Sequence, residues 1–201
     1  MRAQGRQERQ KMQLKKWILA VLIAAPLSLS AQDYTVDTAH TTVGFAVKHL
    51  MISTVRGNFG QFEGSFSLDP KTGVPSKISG TIDVTSIDTG IVKRDDHLRS
   101  PDFFDVSNHP KMTFEMTGFK NDKVMGNLTI RGVKKPVTLD YEFGGTVTDA
   151  WGKPKAAFVL SGQINRSDYG ITWNKALEAG GVTVSDTVKL LIEIEGDGVK
   201  K

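Results

Sequence analysis

The chain has 201 residues, 26 of them basic and 22 acidic, no cysteine, and a formal net charge of +4 at neutral pH. Without cysteine there are no disulfides, no thiolate catalysis and no cysteine-ligated metal sites. The positive balance is local: positions 1–31 hold six basic residues and one acidic, leaving 20 and 21 in positions 32–201, so net charge gives no argument for nucleic acid as a partner.

The first element is an export signal. Met12 to Ala31 reads "MQLKKWILAVLIAAPLSLSA": basic Lys15 and Lys16, an apolar run from Trp17 to Ala25, Pro26, then small residues. This pattern predicts translation from Met12 and cleavage after Ala31. The apolar run is well short of the roughly 20 residues that a spanning helix needs, so the chain is expected not to span a membrane. Positions 32–201 then form a single domain, long enough to fold around its own core.

From there the chain alternates apolar and polar with period two, the signature of half-buried strands. The apolar faces read Val43, Phe45, Val47; Phe62, Gly64, Phe66, Leu68; then Ile78, Gly80, Ile82, Val84. After an irregular stretch come Phe114, Met116, Gly118; Val124, Gly126, Leu128, Ile130; Val137, Leu139, Tyr141, Phe143; Phe158, Leu160, Gly162, Ile164; and Val182 to Ile194. Turn signals such as "DPKTG", "KND" and "GKP" separate them. Eight runs with no long amphipathic helix predict an all-β fold, an eight-stranded antiparallel β-barrel or a sandwich. Glycines on the apolar faces favour the barrel, either by providing curvature or by leaving a partly hollow interior.

The irregular stretch "RDDHLRSPDFFDVSNHPKMTF" (94–114) is the chemically dense part. "VKRDDHLRS" predicts a short helical crossover, with Asp95 and Asp96 near its start and Arg99 near its end as the helix dipole prefers. Pro101 ends it, Asp102 is a candidate N-cap for a further turn, and Phe103 with Phe104 forms a wedge expected to pack across a barrel end. Arg94, Asp96 and His97 beside that wedge would set polar groups at the mouth of an apolar cavity, which suits an amphiphile. A second irregular segment (167–181) carries Ile171, Trp173 and Leu177 and is expected to cover an opening too.

Catalytic signatures are sparse. Phosphate-loop, dinucleotide, zinc-protease and nucleophile-elbow motifs are absent. The four histidines, His40, His49, His97 and His109, have no short chelating spacing, although Asp95, Asp96, Asp102 and Asp105 could join His97 and His109 in a metal site. A metal-dependent enzyme is the alternative to a binding protein; a hydrolase would have only Ser100 and Ser107 as nearby hydroxyls.

Five stretches in order, "YTVDTAHTTVGFAVKHL", "RGNFGQFEGSF", "KRDDHLRSPDFFD", "GNLTIRGVKKPVTL" and "RSDYGI", give the chain a resemblance to the YceI-like, or polyisoprenoid-binding, family of exported bacterial proteins. The resemblance implies a lipocalin-like barrel whose apolar pore holds an isoprenoid or similar long-chain lipid, a periplasmic or secreted location, frequent homodimers, and no catalysis or cofactor. The expected lipid-contacting residues are Val43, Phe45, Val47, Phe62, Phe66, Ile78, Ile82, Leu98, Phe103, Phe104, Phe114, Met116, Leu128, Ile130, Phe158 and Leu160. The expected polar rim is His40, Arg94, Asp96, His97 and Arg131, with Arg94 or Arg131 meeting a carboxylate or the ligand.

Overall fold

A computed structural model describes residues 31–178 and 180–199; the expected export signal, apart from Ala31, lies outside them. The strands are β1 (Gln32–Val36), β2 (Thr42–His49), β3 (Ser53–Phe59), β4 (Phe62–Leu68), β5 (Pro75–Asp83), β6 (Ile87–Asp88), β7 (Lys111–Lys120), β8 (Lys123–Ile130), β9 (Val133–Thr148), β10 (Pro154–Asn165) and β11 (Val184–Gly198), with one α-helix, α1 (Val92–Arg99). Every pairing is antiparallel, and β1–β4–β5–β7–β8–β9–β10–β11 closes into a ring through β1 and β11.

The closed eight-stranded barrel expected from the sequence is present, with one change of membership. β1, too short to stand out in the sequence, closes the ring by pairing Val36 with Gly196 and Tyr34 with Gly198. β2 takes the same edge of β11 nearer its start, Val47 facing Val188 and Val43 facing Ile192. It carries β3 and β6 outward as a three-strand leaf. β11 therefore has a forked edge: β1 holds one end and β2 the other.

Period-two burial explains the registers. On β10, Ala156, Phe158 and Leu160 are buried, and Phe158 and Leu160 face Ile194 and Ile192 of β11. Inside, two apolar clusters stack end to end. The floor cluster contains Tyr34, Phe66, Leu68, Val124, Tyr141 and Phe158, with Tyr34 stacked on Phe66 at 4.9 Å and Phe66 edge-on to Phe158 at 4.9 Å. The Tyr141 hydroxyl donates to the Gly73 carbonyl at 2.6 Å and fastens the β4–β5 turn beneath it. The mouth cluster contains Phe59, Val84, Ile87, Phe103, Met112, Ile130, Tyr169 and Ile171.

The inward glycines make room for rings more than they leave space. A Cβ on Gly126 would lie 2.4 Å from the Phe114 ring, and one on Gly162 2.7 Å from Leu139. Arg131 and Gly132, both at positive φ (51° and 74°), form the tight β8–β9 turn at the mouth.

Candidate functional site

Two apolar cavities of about 100 and 140 Å³ lie along the barrel axis. They share Val43, Ile82, Leu128, Leu190 and Ile192 as a common waist. The inner one reaches Val36, Phe62, Phe66, Ile78, Phe114 and Leu160; the outer one reaches Phe45, Val47, Leu98, Phe103, Phe104 and Ile130. Two residues expected to line the interior do not reach a cavity: Phe158 is buried in the floor cluster, and Met116 packs against that cluster from the side. Leu190, Ile192 and Ile194 of β11, inward by the same alternation, line the cavities as well.

α1 and the crossover close the mouth. α1 spans the residues expected of it, but its N-terminus is organised by a buried acid. The Asp95 carboxylate accepts from the Thr89 amide (3.0 Å) and hydroxyl (2.5 Å), while Arg94 donates to the Thr89 hydroxyl and carbonyl at 2.7 Å each. Arg99 reaches the carbonyls of Thr85 and Ile87 and pairs with exposed Asp96 at 3.0 Å. These contacts pin the helix to the β5–β6 connection.

Asp102 caps no following helix. Residues 101–104 are turn, and its carboxylate meets His97 Nε2 at 2.9 Å. The His97 ring stands edge-on to Phe103 (5.0 Å) and to Trp173 (4.9 Å), so the crossover and the second irregular segment meet over the opening. Phe104 packs edge-on against Phe59 at 6.0 Å. Of the two partners expected for Arg94 or Arg131, a carboxylate or the ligand, the carboxylate is not the one found among the described residues: Arg94 uses Thr89, and Arg131 donates to the Phe103 carbonyl at 3.0 Å and the Gly170 carbonyl at 3.1 Å. Two loops that cover the mouth each present carbonyls there, and a guanidinium fork satisfies both.

The histidine–aspartate metal centre of the alternative reading is not assembled among the described residues. Among the described residues, the three side chains that gather as possible ligands are Asp37, His40 and Glu195, not those of the crossover. Their centre is taken by an ammonium: Lys155 Nζ lies 2.9 Å from Asp37, 3.0 Å from Glu195 and 2.7 Å from Asp197. Hydrogen bonds from Lys155 and then His40 hold the Asp37 carboxyl well below the usual range, and Asp37 in turn raises the His40 imidazolium. His40 thus stands on the outer wall beside β10 and β11 rather than on the rim.

Sequence reasoning missed Arg166. It lines the outer cavity, is only 6% exposed, and donates to the carbonyls of Ile171 and Trp173 (2.9 Å each) and of Ser185 (3.1 Å). Among the described residues no carboxylate is hydrogen-bonded to it, and burial lowers its pKa against the opposing pull of Asp186. A fourth carbonyl, that of Val184, lies 3.5 Å from it, so this buried cation at the end of the apolar cavity is solvated by backbone oxygens. The signal was there in "RSDYGI", an arginine closing a strand of inward apolar residues.

The YceI-like domain model matches residues 34–196. A UPF0312 protein of Staphylococcus aureus is 40% identical over 158 residues, covering 78% of this chain and 92% of the relative. One of Vibrio parahaemolyticus is 39% identical over 160 residues, covering 76% and 85%. Among solved structures, a YceI protein of Campylobacter jejuni matches with a TM-score of 0.67 at 38% identity over 82% of this chain and 96% of that one. A polyisoprenoid-binding domain from Saccharophagus degradans shares the fold, with a TM-score of 0.63 at 15% identity over 83% of this chain and 98% of that one.

Proposed function

The chain belongs to the YceI-like family, and from that premise we propose that it binds one long-chain apolar lipid, a polyisoprenoid or similar amphiphile, along the barrel axis. The observation that carries this is the pair of apolar cavities with a shared wall of residues between them, the outer one ending at a buried guanidinium. Aliphatic and aromatic walls gain about 0.8 kcal/mol for each methylene they bury. Ten carbons would contribute roughly 8 kcal/mol before the costs of binding. The tail lies toward the floor cluster, and the polar head lies at the mouth near Arg166.

A dry cavity of about 150 Å³ accommodates a benzene ring. Cavities of 100 and 140 Å³ therefore admit a long tail only as inward side chains such as Phe104 and Phe114 rotate aside. The protein is a carrier or sequestering protein in this reading, not a catalyst. We assign it to the bacterial envelope, the periplasm or the outside, with residues 1–31 as the export signal. The structural relative named for polyisoprenoid binding fits the reading through its fold.

Native mass spectrometry of protein purified without detergent, followed by solvent extraction, tests it. A discrete excess mass that extracts as an isoprenoid or other long-chain amphiphile supports the reading. Leu190→Trp, placed at the waist, should abolish that mass while the protein stays folded. A bare protein mass from a lipid-rich host, or retention by the waist variant, overturns it.

A further inference from the structure

The mouth is ringed by an apolar projection that the cavity does not use. Between β2 and β3, Leu50, Met51 and Ile52 are 38%, 56% and 83% exposed. Leu50 and Met51 both adopt left-handed backbone, φ 51° and 64°. At such a tip Asn–Gly is the comfortable choice, being polar and at ease with positive φ. This chain instead places large apolar side chains there, against both solvation and backbone preference.

The surface just below the tip is basic. Register sets it: Ala46 of β2 faces Arg56 on one side and Lys189 on the other, and Lys48 lies two residues nearer the tip. All three are exposed on the outer face, opposite the inward Val43, Phe45 and Val47, and among the described residues none is in an ion pair. At the other end of the barrel, by contrast, the charges of one cluster are paired. There Asp37, Glu195 and Asp197 surround Lys155, with Lys153 on Asp197 and Asp149 in the β9–β10 turn. So although the net charge from 32 to 201 is close to zero, the three basic groups below the tip are left to face solvent.

We propose that the β2–β3 tip docks the mouth of the barrel on an anionic lipid bilayer. Leu50, Met51 and Ile52 enter the interface, while Lys48, Arg56 and Lys189 meet the phosphates. Apolar tips flanked by basic groups bind such surfaces by adding buried area to attraction for anionic headgroups. The tip is continuous with the opening. His49 faces Val184, the Leu50 amide donates to the Thr183 carbonyl at 2.9 Å, and Val47 and Val184 line the outer cavity. Docking thus brings the bilayer to the rim through which a lipid would pass. It stands on the tip and its charges, not on what the cavity holds, so it and the carrier reading fail separately.

The chain has no cysteine, so a single introduced thiol can be labelled cleanly. Ile52→Cys carries an environment-sensitive fluorophore at the tip. Trp151→Cys, from a similarly exposed site in the β9–β10 turn, carries it at the opposite end of the barrel, beside the end of β11. All proteins are produced from the full chain with the N-terminus fixed by intact mass, so any contribution of residues 1–31 is common to all. Vesicles are phosphatidylcholine alone or with about a quarter phosphatidylglycerol.

The expected result is a blue shift of the tip label, and none of the Trp151 label, on phosphatidylglycerol vesicles. Unlabelled protein should co-sediment with those vesicles and release as salt rises. Met51→Asp with Ile52→Asp should weaken this at least tenfold with an unchanged melting temperature, and Lys48→Glu with Lys189→Glu should weaken it too. The proposal is overturned by failure of the wild type to co-sediment, by a shift at Trp151 instead of Ile52, or by undiminished binding of the aspartate variant. Dissociation of a dimer by that variant, with vesicle binding intact, would assign the tip to a second copy and also overturn it. Vesicle binding by a protein that carries no lipid would keep the docking and sink the carrier reading.

Discussion

The rings of Phe103 and Trp173 lie 5.2 Å apart over the barrel mouth, joining the crossover before β7 to the segment after β10. His97 stands against both. The lid is therefore an aromatic joint between two loops, and the residues around it have separable effects.

Phe103 is buried and Phe104 half-buried, so their truncations should differ. Phe103→Ala is expected to cost about 3–5 kcal/mol in urea unfolding, as large buried aromatics do. Phe104→Ala, facing the outer cavity, should cost less and release more of any bound lipid. Equal loss of stability in the two, with lipid content unchanged, would contradict this division.

Arg131 is the polar half of the joint. Arg131→Asn keeps a residue tolerant of positive φ while deleting the fork to Phe103 and Gly170. The expected loss is about 1–3 kcal/mol, the range for removing charge-assisted hydrogen bonds. Hydrogen exchange should quicken at the 170–173 loop before it does in the strands.

Gly126 is held by the Phe114 ring and the Glu115 carbonyl, 2.4 and 2.8 Å from where a Cβ would sit. Gly126→Ala should destabilise by roughly 1–3 kcal/mol, the cost of overpacking. Gly126→Ala with Phe114→Leu should recover part of it; thermal melts of both variants check the pair.

The Asp37–His40–Lys155 cluster predicts two pH windows. His40, raised by Asp37 above its ordinary 6.5, contributes fully below that value and loses its contribution as pH climbs through the higher folded value. Asp37, depressed below 3.8 chiefly by Lys155, contributes above that value and loses its contribution as pH falls through the depressed one. His40→Gln should therefore lower the melting temperature most near about pH 5–6 and least near pH 8. Lys155→Met, which leaves three carboxylates facing one another, should do the reverse and recover in acid.

Most of the barrel was legible because its inward positions are Val, Ile, Leu and Phe at strict alternation. β1 escaped because its five residues offer one fully buried side chain, Tyr34. β3 escaped because its inward face, Val55–Gly57–Phe59, is broken by a glycine that a Cβ would drive into the Phe45 ring at 2.5 Å. The inward wall was readable for the same reason as the strands. The polar groups were not: Arg131 reaches carbonyls 28 and 39 residues away, and the nearer partners of Arg94 and Arg166 are mainly backbone carbonyls, which every residue carries and no residue type announces. So the sequence pointed Arg94 or Arg131 to a carboxylate or the ligand, and left the part that Arg166 plays unspecified.

The forked edge of β11 gives the barrel a spine and a cover. β1 closes the ring near the floor, where β4 pairs with it from Ser65 to Leu68. Above that, Phe62 to Gly64 pair with β5 alone, and the β2–β3–β6 leaf faces them with side chains instead of a backbone ladder. Swinging the leaf about β11 would widen the upper wall without breaking a rung of the eight-strand ring. The floor, held by β1 on both sides, has no such seam.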